Sequence, residues 1–493
     1  MKRALSLLFA VVALLTIAAF AAQKSSTPPN DESAHISRIE NGLLPAVIIK
    51  GQPTPPITVA ERMQHYKVPG VSVAYFENGK IAWTRTYGLA DIAAKRPVTT
   101  ETLFQAASIS KPVSALAMLR LVQDGKLTLD EDVNTKLRTW KVPENEFTKE
   151  QKVTLRRIVS HSAGLTVHGF RGYAPDEGVP STVQILNGEK PANNDPIRVD
   201  TVPGTLWRYS GGGYVLMQLL LTEVTAKSFP QLMHDLVLAP AGMTHSTYEQ
   251  PLPQTLRAFA ATPYLGSGEV VKGGPHTYPE MAPAGLWTTP SDLARVAIEV
   301  QNEYAGKSTK ILSQEMMRQM LTRQKGDSGL GFGLGNDGSK LRFGHGGANE
   351  GFRCSLQAYA ESGQGFVIMS NSDSGDIFAS EYVRAIAREY NWPDFQAIER
   401  VLGKADPAVF TAYVGTYEIP NVDKFTVTTE DSKLYVKAGP LGPAPEQIFP
   451  ESETKFFATS RDFVFEFQKN EKGVVSKMIV HAFNDSLAAK KLP

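Results

Sequence analysis

Ser108-Ile109-Ser110-Lys111 stands directly before an apolar stretch that opens with Pro112, and the small residues Ala106 and Ala107 precede it. If Ser108 opens a helix, its N–H has no intrahelical acceptor and is free to face an oxyanion. The helix dipole favours negative charge at the hydroxyl. Lys111, one turn on, shares that face and can take or share the serine proton. Such a lysine has to be desolvated so that part of it is neutral. The plainer reading is a helix-capping serine with a surface lysine. Ser-x-x-Lys alone is a common pattern, and Ser452-Glu453-Thr454-Lys455 fits it as well. That copy lies among strand-like runs with no helix after it. Ser108 is followed by helical periodicity in Val113, Leu116, Ala117, Leu119, Leu121 and Val122.

Two glycine-rich segments could complete such a site. The run from Pro203 to Gly211 carries Tyr209, with Gly212, Gly213 and a helix after it. A tyrosine on this loop can aim its hydroxyl into a cleft; beside an ammonium its pKa would fall, so that it could act as a base. An aromatic residue packed at a helix start reads equally well. Gly344-His345-Gly346-Gly347-Ala348 stands just before a strand. Its glycines let the backbone approach a ligand closely, and an N–H there could be a second oxyanion donor. In the plainer reading His345 is a polar residue in a glycine-rich turn. No His or Cys partner lies at metal spacing from it, so neither a metal nor an organic cofactor is expected.

Rival nucleophiles fare worse. Ser162, in Ser160-His161-Ser162-Ala163-Gly164, resembles a nucleophile elbow with its first glycine replaced. An elbow needs a strand before it and a helix after it; here helical spacing precedes and glycines follow, which reads as a helix C-terminus and loop. Cys354, the single cysteine, begins an apolar strand and reads as a buried structural thiol.

The elements that must position these residues follow from periodicity. Two extended runs flank Asn78-Gly79, a hairpin signal because both turn positions need positive φ. Helices are expected near 112–123, 153–159, 214–226, 229–238 and 291–303, and strands near 356–359 and 365–370. Strands from both ends of this region should form one antiparallel sheet with helices packed on it. Beyond about residue 406, short alternating runs separated by turns have the spacing of a small antiparallel barrel or sandwich.

Lys2 and Arg3, the apolar run from Ala4 to about Phe20, and Ala19-Phe20-Ala21 read as a signal peptide cleaved after Ala21. This implies a secreted or periplasmic protein with no stable membrane insertion after cleavage. With 51 Lys and Arg against 50 Asp and Glu, the formal charge of +1 gives no general attraction to nucleic acid or anionic membranes. Export with a single cysteine excludes an intramolecular disulfide, so the core must carry stability. The divisions expected are a signal peptide at 1–21, a tether at 22–54, a catalytic domain at 55–402 and a small β domain at 403–493.

Taken in order, the three motifs resemble those of the serine β-lactamase and penicillin-binding protein superfamily, above all its class C-like branch of β-lactamase-related hydrolases. Frame phrases such as Leu155 to Leu165 and Gly285 to Ala294 share the likeness. The resemblance implies an α+β fold: an antiparallel sheet flanked by helices, plus a helical lobe with the cleft between them, trailed by a small barrel-like β domain. It also implies an acyl-enzyme serine hydrolase with Ser108 as nucleophile, Lys111 beside it and Tyr209 as base. The oxyanion would rest on the N–H groups of Ser108 and Ala348, and His345, Gly346, Gly347 and Gly211 would line the substrate side. Gly211 stands where the family often has Asn, and His345-Gly346-Gly347 stands where it often has Lys-Thr-Gly. Loss of that Asn and that permanent cation argues against ordinary β-lactam or peptide recognition. An ester or a D-amino-acid peptide is therefore the first expectation for substrate. The alternatives are a β-lactamase, or an acylated sensor that does not turn over.

Overall fold

The computed structural model describes residues 31–336, 338–420, 422–482 and 485–493. The expected signal peptide, and the expected tether up to residue 30, lie outside the described residues. From Asp31 onward the structure differs from a tether. Asp31–Glu40 is a helix, α1, and Val47–Ile49 is a short strand, β1. Ile36, Ile39 and Leu43 are buried in the core, and this apolar spacing fixes the segment in place.

The hairpin pairs β2 (Gly70–Glu77) with β3 (Lys80–Asp91), and Asn78 and Gly79 both adopt positive φ, 52° and 74°. Short β4 (Arg96–Pro97) follows, then a two-stranded ribbon of β5 (Phe104–Gln105) and β6 (Trp287–Thr288). Late in the domain come β7 (Gly333–Gly335), β8 (Arg342–Asn349), β9 (Phe352–Tyr359) and β10 (Gly365–Ser370). The main sheet runs β4-β3-β2-β10-β9-β8-β7, with all its neighbours antiparallel, so both ends of the region do contribute.

Both faces of the central strands are covered. From β2, Ala74 and Phe76 enter one core, while Val71, Val73 and Tyr75 enter the other. The strand therefore reads as a continuous apolar run and not as an alternating one. Helices α2 (Val59–Tyr66) and α8 (Gly375–Glu389) cover one face together with α1. The helical lobe lies on the other side. It includes α3 (Ser110–Gln123), α4 (Leu155–Val159), α5 (Gly211–Thr225), α6 (Met281–Ala284) and α7 (Pro290–Tyr304). The helix expected over 229–238 divides into an α-helix, Phe229–Met233, and a wider π-helical turn, His234–Leu238. The glycine-rich third motif lies within a strand, β8, and not before one; periodicity is silent there because glycine carries no side chain to show it.

After β11 (Ile398–Arg400), which pairs in parallel with β1, eight antiparallel strands close into a barrel. They are β12 (Gly415–Ile419), β13 (Asp423–Glu430), β14 (Lys433–Lys437), β15 (Glu446–Pro450), β16 (Lys455–Phe457), β17 (Val464–Lys469), β18 (Val475–Ala482) and β19 (Asp485–Lys491). Tyr413, Tyr417, Phe425, Phe456, Phe465 and Phe467 fill the interior, with Tyr413 and Phe467 stacked at 4.3 Å. The barrel is held to the sheet domain by Arg461 on Asp376 at 2.5 Å, by Gly442 against Tyr66 and Ile377, and by Val47 N donating to Thr459 O at 3.0 Å. Beneath that seam the fully buried Glu381 carboxylate takes two bonds from Arg62, at 2.6 and 2.5 Å, and one from the Tyr66 hydroxyl at 2.7 Å.

Candidate active site

Ser108 sits in a single 3-10 turn, Ala107–Ile109, that runs straight into α3. Two bonds to the β6 region pin this entrance: Ala106 N donates to Leu286 O at 2.8 Å, and Leu286 N donates to Ser110 Oγ at 3.0 Å. Ala107 holds φ at 48°, a conformation unfavourable for any residue with a Cβ. Helix α3 is buried nearly all round, so Lys111 enters the protein interior and is 2% exposed. Its Nζ donates to Ser108 Oγ at 3.0 Å and to Pro283 O, on α6, at 3.1 Å. The Tyr209 and Tyr214 ring centroids lie 4.8 and 5.8 Å from Nζ. With no carboxylate to compensate, desolvation pushes the Lys111 ammonium down to about 7.

Tyr209 behaves differently from the sequence expectation. Its hydroxyl is pushed up, to about 12, because burial outweighs the bond it shares with Ser108. The expected fall required a charged neighbour, and Lys111 is itself desolvated. Tyr209 is therefore a neutral phenol that can pass a proton along a hydrogen bond. His161 stacks on its ring at 4.3 Å and 29°. Burial, then Lys111 and the neighbouring histidines, hold His161 well below the ordinary imidazole range. Its Nδ1 accepts from Ser210 N at 3.2 Å. Sequence reading treated His161 only as frame; its left-handed φ of 57° and its burial are visible only in the fold. Trp207 stands at the rim, 48% exposed, with Nε1 donating to Ser328 Oγ at 2.8 Å.

The opposite wall is β8. Its pairing with β7 ends at Gly344, so residues 345–349 leave one edge of the strand free on that side. Gly347 packs directly on the entrance to the Ser108 turn: a Cβ there would lie 2.2 Å from Ala106 O. Gly346 is open, its nearest neighbour to such a Cβ being Cys354 O at 3.9 Å. Ala348 is exposed. The His345 ring lies 6.1 Å from Tyr209, and its Nδ1 bonds Gly346 O at 2.6 Å, so Nδ1 carries the proton. Desolvation, then Lys111, pushes His345 down to about 4, so it is neutral at pH 7.

Gly211 does not line the cleft as expected. It is buried in the first turn of α5, and a side chain there would meet His168 O and the Phe170 ring at 3.0 Å. Ser162 is absorbed by Ser160 Oγ at 3.0 Å, after the helix end that the sequence indicated. The Cys354 thiol is buried and bonded to Gln105 O at 3.2 Å, and desolvation raises its pKa far above the ordinary thiol range. Ser452 and Lys455 belong to the barrel. Among the described residues, no three His, Cys, Asp or Glu side chains converge as a metal-holding group.

A buried lysine bonded to a serine at a helix start, facing a glycine-rich strand, defines a serine hydrolase working through an acyl-enzyme. The Beta-lactamase family model matches residues 58–388, and the chain belongs to that family. Residues 399–492, the barrel region, match a domain of unknown function (DUF3471). Penicillin-binding protein 4* of Bacillus subtilis (strain 168) is 24% identical over 420 residues, covering 81% of this chain and 90% of the relative. The octameric penicillin-binding protein homologue of Pyrococcus abyssi superposes with a TM-score of 0.60 at 22% identity, covering 88% of this chain and 98% of that one. SurE, in a structure with D-Leu, gives a TM-score of 0.53 at 20% identity, covering 88% and 97%. At these identities the two structures speak to fold alone.

One buried acid stands behind the site. Glu280 precedes α6, the helix whose Pro283 carbonyl holds Lys111, and it is fully buried with both carboxylate oxygens lacking a well-placed donor. Burial pushes it up to about 8; its own N–H and Tyr173 offset this only in part. A carboxyl raised in the folded state stabilises below the unfolded value of about 4.3, and that contribution is lost as pH rises through 8. Glu280→Gln should therefore stabilise by on the order of 3 kcal/mol at pH 8.5 and by nearly nothing at pH 4. Urea unfolding of both proteins at the two pH values measures this; equal gains at both would show that ionisation is not the cause.

Proposed function

We propose that this protein is an exported hydrolase of an uncharged ester, or of an amide or ester bearing a D-amino acid, with Ser108 as nucleophile. The observation that carries the reading is Lys111, buried, 3.0 Å from Ser108 Oγ and brought down to about 7. In the free-base form it accepts the serine proton as Oγ bonds the substrate carbonyl carbon. The N–H groups of Ser108 and Ala348 receive the oxyanion. Tyr209, neutral and bonded to Ser108, gives its proton to the leaving group and is reprotonated from Lys111; water attacking from the Tyr209 side then breaks the bond to Oγ and releases the acid, its proton passing through Tyr209 and Lys111 back to Ser108 Oγ. His345, Gly346 and Gly347 line the substrate side.

A neutral His345 supports an uncharged substrate, because it offers no cation to grip a carboxylate. The fold shared with a SurE structure holding D-Leu is in keeping with a D-amino-acid substrate. The signal-like sequence at 1–21 supports a secreted or periplasmic location, and no helix among the described residues is long and apolar enough to cross a membrane.

The test is mass spectrometry after fluorophosphonate labelling, with p-nitrophenyl ester turnover measured in parallel. One adduct on Ser108, with adduct and turnover both absent in Ser108→Ala, is the expected result. Labelling that survives this substitution or lands on Ser162 defeats the mechanism. An adduct without turnover on esters, D-aminoacyl amides or β-lactams points to a sensor.

A further inference from the structure

Three non-glycine residues around the site hold left-handed backbone: Ala107, His161 and Val167, the last with φ 63°. A β-branched residue rarely sits there, so its surroundings must impose it. The start of α5 does so. Gly212 N donates to Val167 O and Gly211 N to His168 O, both at 3.0 Å, and Ser210 Oγ donates to Thr166 O at 2.8 Å. Two N–H groups left over at the helix N-terminus and the hydroxyl of its capping serine thus fix three successive carbonyls. The resulting turn sets the His168 ring 4.8 Å from the Tyr209 ring.

His168 is exposed, and neither of its ring nitrogens bonds a protein group among the described residues. It also lines a pocket of about 510 Å³, walled by the 166–171 turn and residues 193–196. The polar lining is amide-like, with Asn193, Asn194 and turn backbone. The Arg171 guanidinium is taken up by Glu177 at 2.6 Å, and Asp195 stands exposed. The pocket thus adjoins the proposed proton-relay tyrosine, with an unoccupied imidazole at the junction. A neutral imidazole offers one N–H and one lone pair, the complement of an amide.

We propose that His168 is a substrate-contacting specificity residue, held by this strained turn to bond the amide of an acyl group seated in the adjoining pocket. The proposal rests on the reading of Ser108 as nucleophile and adds the part of the substrate that lies beyond the reacting carbonyl.

Two esters with one leaving group test it: p-nitrophenyl acetate, and the p-nitrophenyl ester of N-acetyl-D-alanine. The quantity read is the ratio of their kcat/KM values. In the unmodified protein the amide-bearing ester is preferred. In His168→Ala that preference falls tenfold or more, mainly through KM, and His168→Gln, which keeps a donor and an acceptor, recovers part of it. Gly169→Phe should lower the same ratio, because a Cβ at Gly169 meets no atom within 4 Å and a ring can enter the open space. Thermal melting confirms that each variant is folded, and Gly169→Phe serves if His168→Ala is not. The proposal is overturned if wild type shows no preference, if His168→Ala slows both esters equally, or if neither ester is affected. Failure of the nucleophile reading would look different: acetate turnover would survive Ser108→Ala.

Discussion

Lys111→Met should lower kcat/KM for an ester by about 10³–10⁴-fold while leaving the protein folded. Methionine nearly conserves the volume of the lysine stem, and the site that receives it is buried. The substitution removes the buried donor to Pro283 O but also an amine whose charged form is disfavoured there; the two effects oppose, so the melting temperature should change little. Lys111→Arg should fail as badly, since a guanidinium stays charged and cannot act as a base. The unmodified protein gives a second reading of the same group. Below pH 7 the free-base fraction rises tenfold per pH unit, so kcat/KM should climb to a plateau with an apparent pKa near the value set by burial, about 7. A variant keeping a tenth of the activity, or a profile without this ascending limb, would remove Lys111 from its role.

Gly347→Ala should cost about 10²-fold in the rate of Ser108 labelling, although alanine is the smallest possible change. The added Cβ would sit 2.2 Å from Ala106 O, which is backbone and cannot swing aside, so β8 and the Ser108 turn must part. A displacement of about 1 Å between reacting groups is enough for a loss of that order. The neighbouring position separates this from a general intolerance of side chains in the strand. Gly346→Ala places its Cβ no closer than 3.9 Å to any atom beyond its chain neighbours, so its melting temperature should stay near that of wild type and its labelling rate should fall far less than that of Gly347→Ala. Similar losses in both variants would mean that the clash is not what matters.

These contacts show where sequence reading succeeds and where it stops. Ser108, Lys111, Tyr209 and His345 were legible because each motif couples a reactive side chain to local backbone cues, a proline-led helix or a run of glycines. The Asn78-Gly79 hairpin was legible for the same reason. Direction of titration was not: Tyr209 was expected to drop beside an ammonium, and only the packing shows that burial governs both partners. His161 and His168 escaped notice because their importance comes from ring contacts with Tyr209 across a long loop, His161 stacked and His168 tilted. In the barrel, β12, β15 and β19 carry charged or small residues that blur the alternation and hide these strands from sequence reading. Gly211 was legible as a departure, but not as a buried one: Phe170 already fills the space a side chain would claim.

The pairing of β2 with β10 carries a consequence for biogenesis. Residues 70–77 form a central strand whose partner, 365–370, is synthesised long afterwards. Until it arrives, one side of the early hairpin is an unpaired apolar edge, open to aggregation and of little use to a nascent fold. Helix α3, made in the interval, likewise has no β8 to lean on. A sheet closed by partners so distant in sequence is expected to form late. On the proposed export route this delay would keep the chain threadable until it has crossed the membrane, and the Ser108 turn would meet β8 only once the late strands have been delivered.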